Sequence, residues 1–239
     1  TEVFPPWRSR MIAASPVRTL LLLGGGEWHR AAEAPDSWWL ARAARPEVTV
    51  VTSAAQDIPA TQVGWAAAHF GEMGARVEGC QIQTRKDASA PRFVQQLRNA
   101  ASIYLCGGDP GAAREVLIDS PAAEVLLSAY RAGVPLAGSS AGAMVLGTDC
   151  LLPRQDFCLR RGLGLMPAVV VPHWSDAGAR WRQVAQRLAR DHQVIAIDES
   201  TGLCWDGLAW TVRGPGRAVL VTPTGEEEMG EGQPPPPVE

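Results

Sequence analysis

Short apolar runs alternate with amphipathic stretches along most of this chain, and several of the runs stop abruptly at glycine. Residues 19–23, one threonine and four leucines, lead directly into Gly24-Gly25-Gly26. Residues 48–51, 77–81 and 102–105 read as further strands, and the last meets Cys106-Gly107-Gly108-Asp109. Between them, 62–73, 92–99 and a stretch stopping at Arg131 carry helical periodicity. Parallel strands need long crossovers, and a helix is the usual one. The pattern therefore predicts an α/β fold: a mostly parallel sheet with helices on both faces, flavodoxin-like in its three layers. A strand at 135–138 follows, and then a helix starting near Ala141. Residues 150–157 read as an irregular excursion, 169–171 and 194–197 as strands, and 179–190 as a helix. The segments 203–205, 209–212 and 218–221 read as a short antiparallel C-terminal meander. One domain over 19–224 is expected, after an N-terminal extension over 1–18. Residues 225–239 hold five acids, no base and a run of four prolines. Such a composition predicts a disordered tail.

Charge and cysteine content exclude several classes of function. The formal net charge is −3, and the acidic tail accounts for more than all of it. Without the tail the body carries 22 bases against 20 acids, so no nucleic-acid or membrane surface is expected. The five cysteines are scattered and form no C-x-x-C pair, which argues against a zinc site or a disulfide framework and for a reducing cytoplasm. The run 20–23 is far too short to span a bilayer.

Gly138-Ser139-Ser140-Ala141-Gly142 lies where an apolar strand must turn into a helix. Small residues on both sides let the backbone take a strained turn that lifts the central hydroxyl, that of Ser140, clear of the sheet. The N–H of Ala141 then faces the place where an oxyanion would form. The competing reading is an ordinary strand-to-helix turn with Ser140 as the N-cap. Ligands of open parallel sheets bind at the C-terminal strand ends, where Gly24-Gly25-Gly26, Gly107-Gly108 and Ser140 all fall. The glycine turn 24–26 is not a dinucleotide fingerprint.

Taken in order, LLLGGG, IYLCGGDP, AGSSAGAMVLG, GLGLMPAVVVPHW and IAIDESTGL resemble the peptidase E and cyanophycinase family of serine peptidases, from about Leu20 to Leu203. The resemblance implies a fold like that of class I glutamine amidotransferases, with Ser140 as nucleophile and His173 as general base. Glu199 matches the family's acidic position for orienting the histidine, with Asp198 and Asp156 as alternatives. Alternation along a strand means that Asp198 and Glu199 cannot both face one ring easily. Gly108 and Ala141 are the implied backbone oxyanion donors. Asp109 departs from the Asn or Gln often found there and adds negative charge near the pocket. The helix after His173 carries Arg180 and Arg187 on one face, and Arg180 is the expected clamp for a substrate carboxylate. The implied substrate is a short peptide, with N-terminal aspartate or a β-linked aspartyl-arginine. A member of the family that has lost activity and acts as a binding protein is the third possibility. No metal or organic cofactor is implied, and a homodimer is.

Overall fold

The computed structural model describes residues 16–229; expectations for 1–15 and 230–239 lie outside those residues. The strands are β1 (Leu20–Leu23), β2 (Glu47–Val51), β3 (Arg76–Cys80), β4 (Ile103–Leu105), β5 (Leu136–Ser139), β6 (Gly147–Leu152), β7 (Cys158–Arg161), β8 (Met166–Val171), β9 (Val194–Ile197), β10 (Gly202–Trp205), β11 (Trp210–Arg213), β12 (Ala218–Thr222) and β13 (Gly225–Glu228). The helices are α1 (Glu33–Leu40), α2 (Pro59–Glu72), α3 (Arg85–Ala88), α4 (Pro91–Asn99), α5 (Pro110–Leu117), α6 (Pro121–Arg131), α7 (Ala141–Leu146) and α8 (Ala179–Leu188).

The α/β reading holds, but the strands are divided between two sheets. The first has the order β11-β10-β1-β5-β4-β2-β3, and β1 to β5 run parallel. The second has the order β13-β12-β9-β8-β6-β7, with β6, β8 and β9 parallel. All four leucines of β1 are fully buried because both faces of the sheet are covered. Leu21, Val50 and Tyr104 lie beneath Trp39 of α1 and Phe70 of α2. Leu20, Leu22 and Leu105 face the opposite way, into a core shared with α4 to α7 and with Val170, Ile195 and Ile197 of the second sheet. The far side of that sheet, including Val169, Val171 and Val219, packs under Val184 and Ala185 of α8.

Three expectations need correction. The C-terminal strands do not form one meander. β10 and β11 extend the first sheet beside β1, whereas β12 pairs with β9 in the second. The segment 150–157 is not irregular throughout: β6 runs to Leu152, a 3₁₀ turn spans Pro153–Gln155, and β7 returns antiparallel. Nor does order stop at residue 224. Glu226, Glu227 and Glu228 belong to β13, an edge strand on β12, and the buried Met229 donates its N–H to the Ala218 carbonyl at 2.8 Å. Backbone pairing makes no demand on side-chain polarity, and Arg182 and Arg217 neutralise Glu226.

The C-terminal strand ends of the two sheets are tied together at Gly24. Its carbonyl accepts the His173 N–H at 2.7 Å, and its N–H donates to the Thr201 carbonyl at 2.9 Å. A Cβ at Gly24 would stand 2.1 Å from the Asp198 carbonyl oxygen, so no larger residue permits that approach. No helix among the described residues is long and apolar enough to cross a membrane.

Candidate active site

Ser140 follows β5 with φ 49° and ψ −115°, a conformation that L-residues rarely adopt. Strain of this kind costs on the order of 1–3 kcal/mol and persists only where the surroundings enforce it. Here they do. The Ser140 N–H donates to the Leu23 carbonyl at 3.0 Å, and both flanking glycines touch backbone. A Cβ at Gly138 would lie 2.6 Å from the Gly142 carbonyl carbon, and one at Gly142 would lie 2.2 Å from the Leu105 oxygen. Ser140 does hold the N-cap position of α7, its carbonyl accepting the Met144 N–H at 2.9 Å, but its side chain makes no capping bond. Its Oγ instead lies 2.7 Å from His173 Nε2.

His173 sits just past β8 in the left-handed region, at φ 56° and ψ 36°. Its Nδ1 pairs with Glu199 Oε2. A carboxylate can only accept, so Nδ1 carries the hydrogen and Nε2 is left with a lone pair facing the Ser140 hydroxyl. The ring and the carboxylate are both partly open to solvent. Neither alternative acid reaches the ring. Asp198 is buried, and its Oδ2 accepts the Arg217 N–H at 2.7 Å. Asp156 is exposed on the turn between β6 and β7 and pairs with Arg180 at 2.5 Å.

Gly108 borders the same cavity as Ser140 and Ala141 follows Ser140 in the chain, and among the described residues no hydrogen bond runs from either backbone N–H to a protein acceptor. Gly108 has φ 141°, and its Cβ would collide with the Ala54 oxygen at 2.1 Å. The Asp109 charge does not stand free. Oδ1 caps α5 by accepting the Ala112 N–H at 3.0 Å, and Oδ2 pairs with Arg154.

A cavity of about 230 Å³ opens at Ser140, bordered by Gly108, Asp109, Met144, Arg154, Gln155, His173 and Trp181. Arg180 is not among its walls. It lies over the Phe157 ring in a separate groove that also contains Arg187, the two arginines sharing a face as their spacing predicts. One residue along α8, about 100° round the helix, Trp181 is the side chain that reaches the cavity. The arginine bordering the cavity is therefore Arg154, which sequence reasoning passed over because its turn looked irregular. Glu27 was missed as well. One carboxylate oxygen accepts the Gly107 N–H at 2.8 Å, and the other accepts the Ser139 hydroxyl at 2.6 Å. A larger groove of about 1100 Å³ lies beyond Glu199, with Glu27, Glu33 and Glu72 against Trp28 and Trp65.

The other histidines lie apart from the Ser140–His173 pair. His69 pairs at 2.8 Å with Asp36, whose carboxyl is raised by burial. His192 lies 3.7 Å from Asp149, and His29 is exposed.

The sequence profile described as Peptidase family S51 matches residues 20–212. Cyanophycinases of Nostoc sp. (strain PCC 7120) and Trichormus variabilis (strain ATCC 29413) are each 32% identical to this chain over 197 residues, or 77% of it. The matches span 66% of each relative's own length. Among solved structures, a peptidase from an acI-B1 Actinobacterium superposes with a TM-score of 0.80 at 24% identity, covering 92% of this chain and 96% of that one. A peptidase E candidate from Listeria monocytogenes EGD-e gives 0.64 at 17% identity, covering 84% and 100%. These two likenesses are of fold.

Proposed function

Because the chain belongs to peptidase family S51, a family of serine-type hydrolases, we propose that it is a serine exopeptidase cleaving short aspartyl peptides through an acyl-enzyme on Ser140. The observation that carries this reading is the relay from Ser140 Oγ through the His173 ring to Glu199. In the proposed reaction Nε2 takes the hydroxyl proton as Oγ attacks the scissile carbonyl. Glu199 stabilises the imidazolium formed and keeps the ring in the required tautomer. The developing oxyanion is received by the Gly108 and Ala141 N–H groups, and the strained turn fixes their direction before substrate arrives. Collapse expels the amine, which takes the proton from Nε2. Water then repeats the sequence on the ester, with His173 again as base. Arg154, at the rim of the cavity, is the proposed contact for the substrate carboxylate, in place of Arg180. Five free cysteines, four of them buried, support assignment to the cytoplasm.

A cyanophycinase-like activity on β-aspartyl-arginine is the second reading. The groove beyond Glu199 favours it, since Glu33 and Glu72 beside Trp28 and Trp65 suit a guanidinium. Hydrolysis of Asp-X dipeptides and of β-aspartyl-arginine separates the two. On whichever substrate turns over, Ser140→Ala is expected to lower kcat by about 10⁶-fold and Glu199→Gln by about 10⁴-fold. Turnover that survives Ser140→Ala removes the nucleophile assignment. No turnover on either substrate, with no covalent adduct on Ser140 after fluorophosphonate treatment, leaves a binding protein on a peptidase scaffold.

A further inference from the structure

We propose that Glu27 is a positioning residue that sets the spacing between the two halves of the oxyanion site; the proposal rests on the reading of Ser140 as nucleophile. Among the described residues Glu27 makes no hydrogen bond to Ser140 or His173. Its two oxygens hold Gly107 and Ser139, the residues immediately before Gly108 and Ser140. One rigid, planar group thus joins the loop after β4 to the turn after β5, and each of those segments carries one of the two unpaired N–H donors. The other hydrogen bonds of the loop 107–109 among the described residues all fall at Asp109, whose N–H donates to the Ala54 carbonyl at 2.9 Å, whose carbonyl accepts the Ala113 N–H at 3.1 Å and whose side chain holds Ala112 and Arg154.

The surroundings are shaped to this clamp. A Cβ at Gly107 would lie 2.3 Å from Glu27 Oε1 and 3.3 Å from Ser140 Cβ, so only glycine lets carboxylate, loop and nucleophile meet. Ser139 is fully buried, and its hydroxyl has Glu27 as acceptor. The carboxylate is itself aimed by its neighbour. Trp28 takes a positive φ of 69°, its ring lies 4.9 Å from that of Tyr104, and its Nε1 donates to Gln62 at 2.5 Å. With Trp28 fixed in that wall, Glu27 at the end of the glycine turn points across β5 toward β4. Misplacing an oxyanion donor weakens bonds made to the transition state rather than to the bound substrate.

The test compares Glu27→Ala, Glu27→Gln and Ser139→Ala with wild type. The readouts are kcat and KM on the substrate that wild type hydrolyses, and the rate at which a fluorophosphonate labels Ser140. The phosphonyl oxygen of that reagent must enter the same oxyanion site. Glu27→Ala is expected to lower kcat and the labelling rate together by on the order of 10²–10³-fold, as for loss of one oxyanion donor. KM should stay within about threefold, because ground-state binding is untouched. Glu27→Gln keeps an acceptor for Gly107 and offers an N–H to Ser139 Oγ, so it should recover at least about tenfold of that loss. Ser139→Ala, which releases one side of the clamp, should fall between. A Glu27→Ala protein with wild-type kcat and labelling rate would overturn the proposal while leaving the nucleophile reading intact. So would equal losses in the Ala and Gln variants that track only a reduced labelled fraction. A wild-type protein inert to substrates and fluorophosphonate would remove the nucleophile reading, and this proposal with it.

Discussion

Gly25 stands against the histidine and its acid with no room to spare. A Cβ there would lie 2.2 Å from His173 Cε1 and 2.8 Å from Glu199 Oε2, and the backbone φ is 120°. Gly25→Ala must therefore push the ring or the carboxylate aside. Displacements of about 1 Å at reacting groups cost on the order of 10² in rate, and that is the expected fall in kcat. Gly64, in the middle of α2, is the opposite case: it is exposed, has no positive φ, and a Cβ would meet nothing within 4 Å. Gly64→Ala should stabilise the fold by roughly 0.5–1 kcal/mol, seen in chemical denaturation, with kcat unchanged. At this scale the sequence was informative about which glycines follow strands. It was silent on their neighbours: the collision partners of Gly25, His173 and Glu199, lie 148 and 174 residues further along the chain.

Helix starts show how chemistry at one position organises an element. Pro59, Pro91, Pro110 and Pro121 open α2, α4, α5 and α6, where a missing N–H costs nothing and the fixed φ already suits the helix. Helical periodicity alone places the start of α2 near residue 62 and reads the chain up to Arg131 as one helical stretch, whereas Pro59 opens α2 and Ser120-Pro121 divides α5 from α6. Ser120 accepts the Ala123 N–H and Asp109 accepts that of Ala112. The Asp109 cap leads to a prediction. Asp109→Ala should cost about 1 kcal/mol, nearly all of it from the cap, since Arg154 is highly exposed and a surface pair adds little. Thermal unfolding should move down by about 2–4 °C. Asp109→Asn, which keeps an acceptor for Ala112 but loses the charge opposite Arg154, should retain most of that stability. It frees the guanidinium to alter KM for acidic substrates.

Across the whole molecule, burial governs the thiols. Removal from water pushes Cys80, Cys150 and Cys204 up to about 12, and Cys106 is raised for the same reason, whereas Cys158 is partly exposed. With a disulfide-exchange reagent at pH 8, one thiol per chain should react quickly and four only after denaturation. The same shifts make stability depend on alkaline pH. A folded value above the unfolded one means that the native state holds protons the unfolded chain gives up. The contribution is complete below the ordinary thiol value near 8.5 and is lost as pH rises toward 12. Denaturant midpoints should fall across that window, and a protein with Cys80, Cys150 and Cys204 replaced by alanine should show a shallower fall.

Local pattern alone determined where most strands lie, which serine occupies the centre of the elbow, and that the catalytic candidates collect at strand ends. Those features depend on residues within a few positions of one another. Alternation also required that Asp198 and Glu199 point apart. Only the tertiary structure decided that Glu199 faces His173 while Asp198 turns to the Arg217 N–H, because the ring arrives from β8 and not from the same strand. The division into two sheets, the position of Arg154 rather than Arg180 beside the cavity, and the Glu27 hydrogen bonds to Gly107 and Ser139 likewise depend on the tertiary structure. Strands buried on both faces are equally apolar whichever sheet they join, and which side chain reaches a site depends on partners that short-range sequence does not specify.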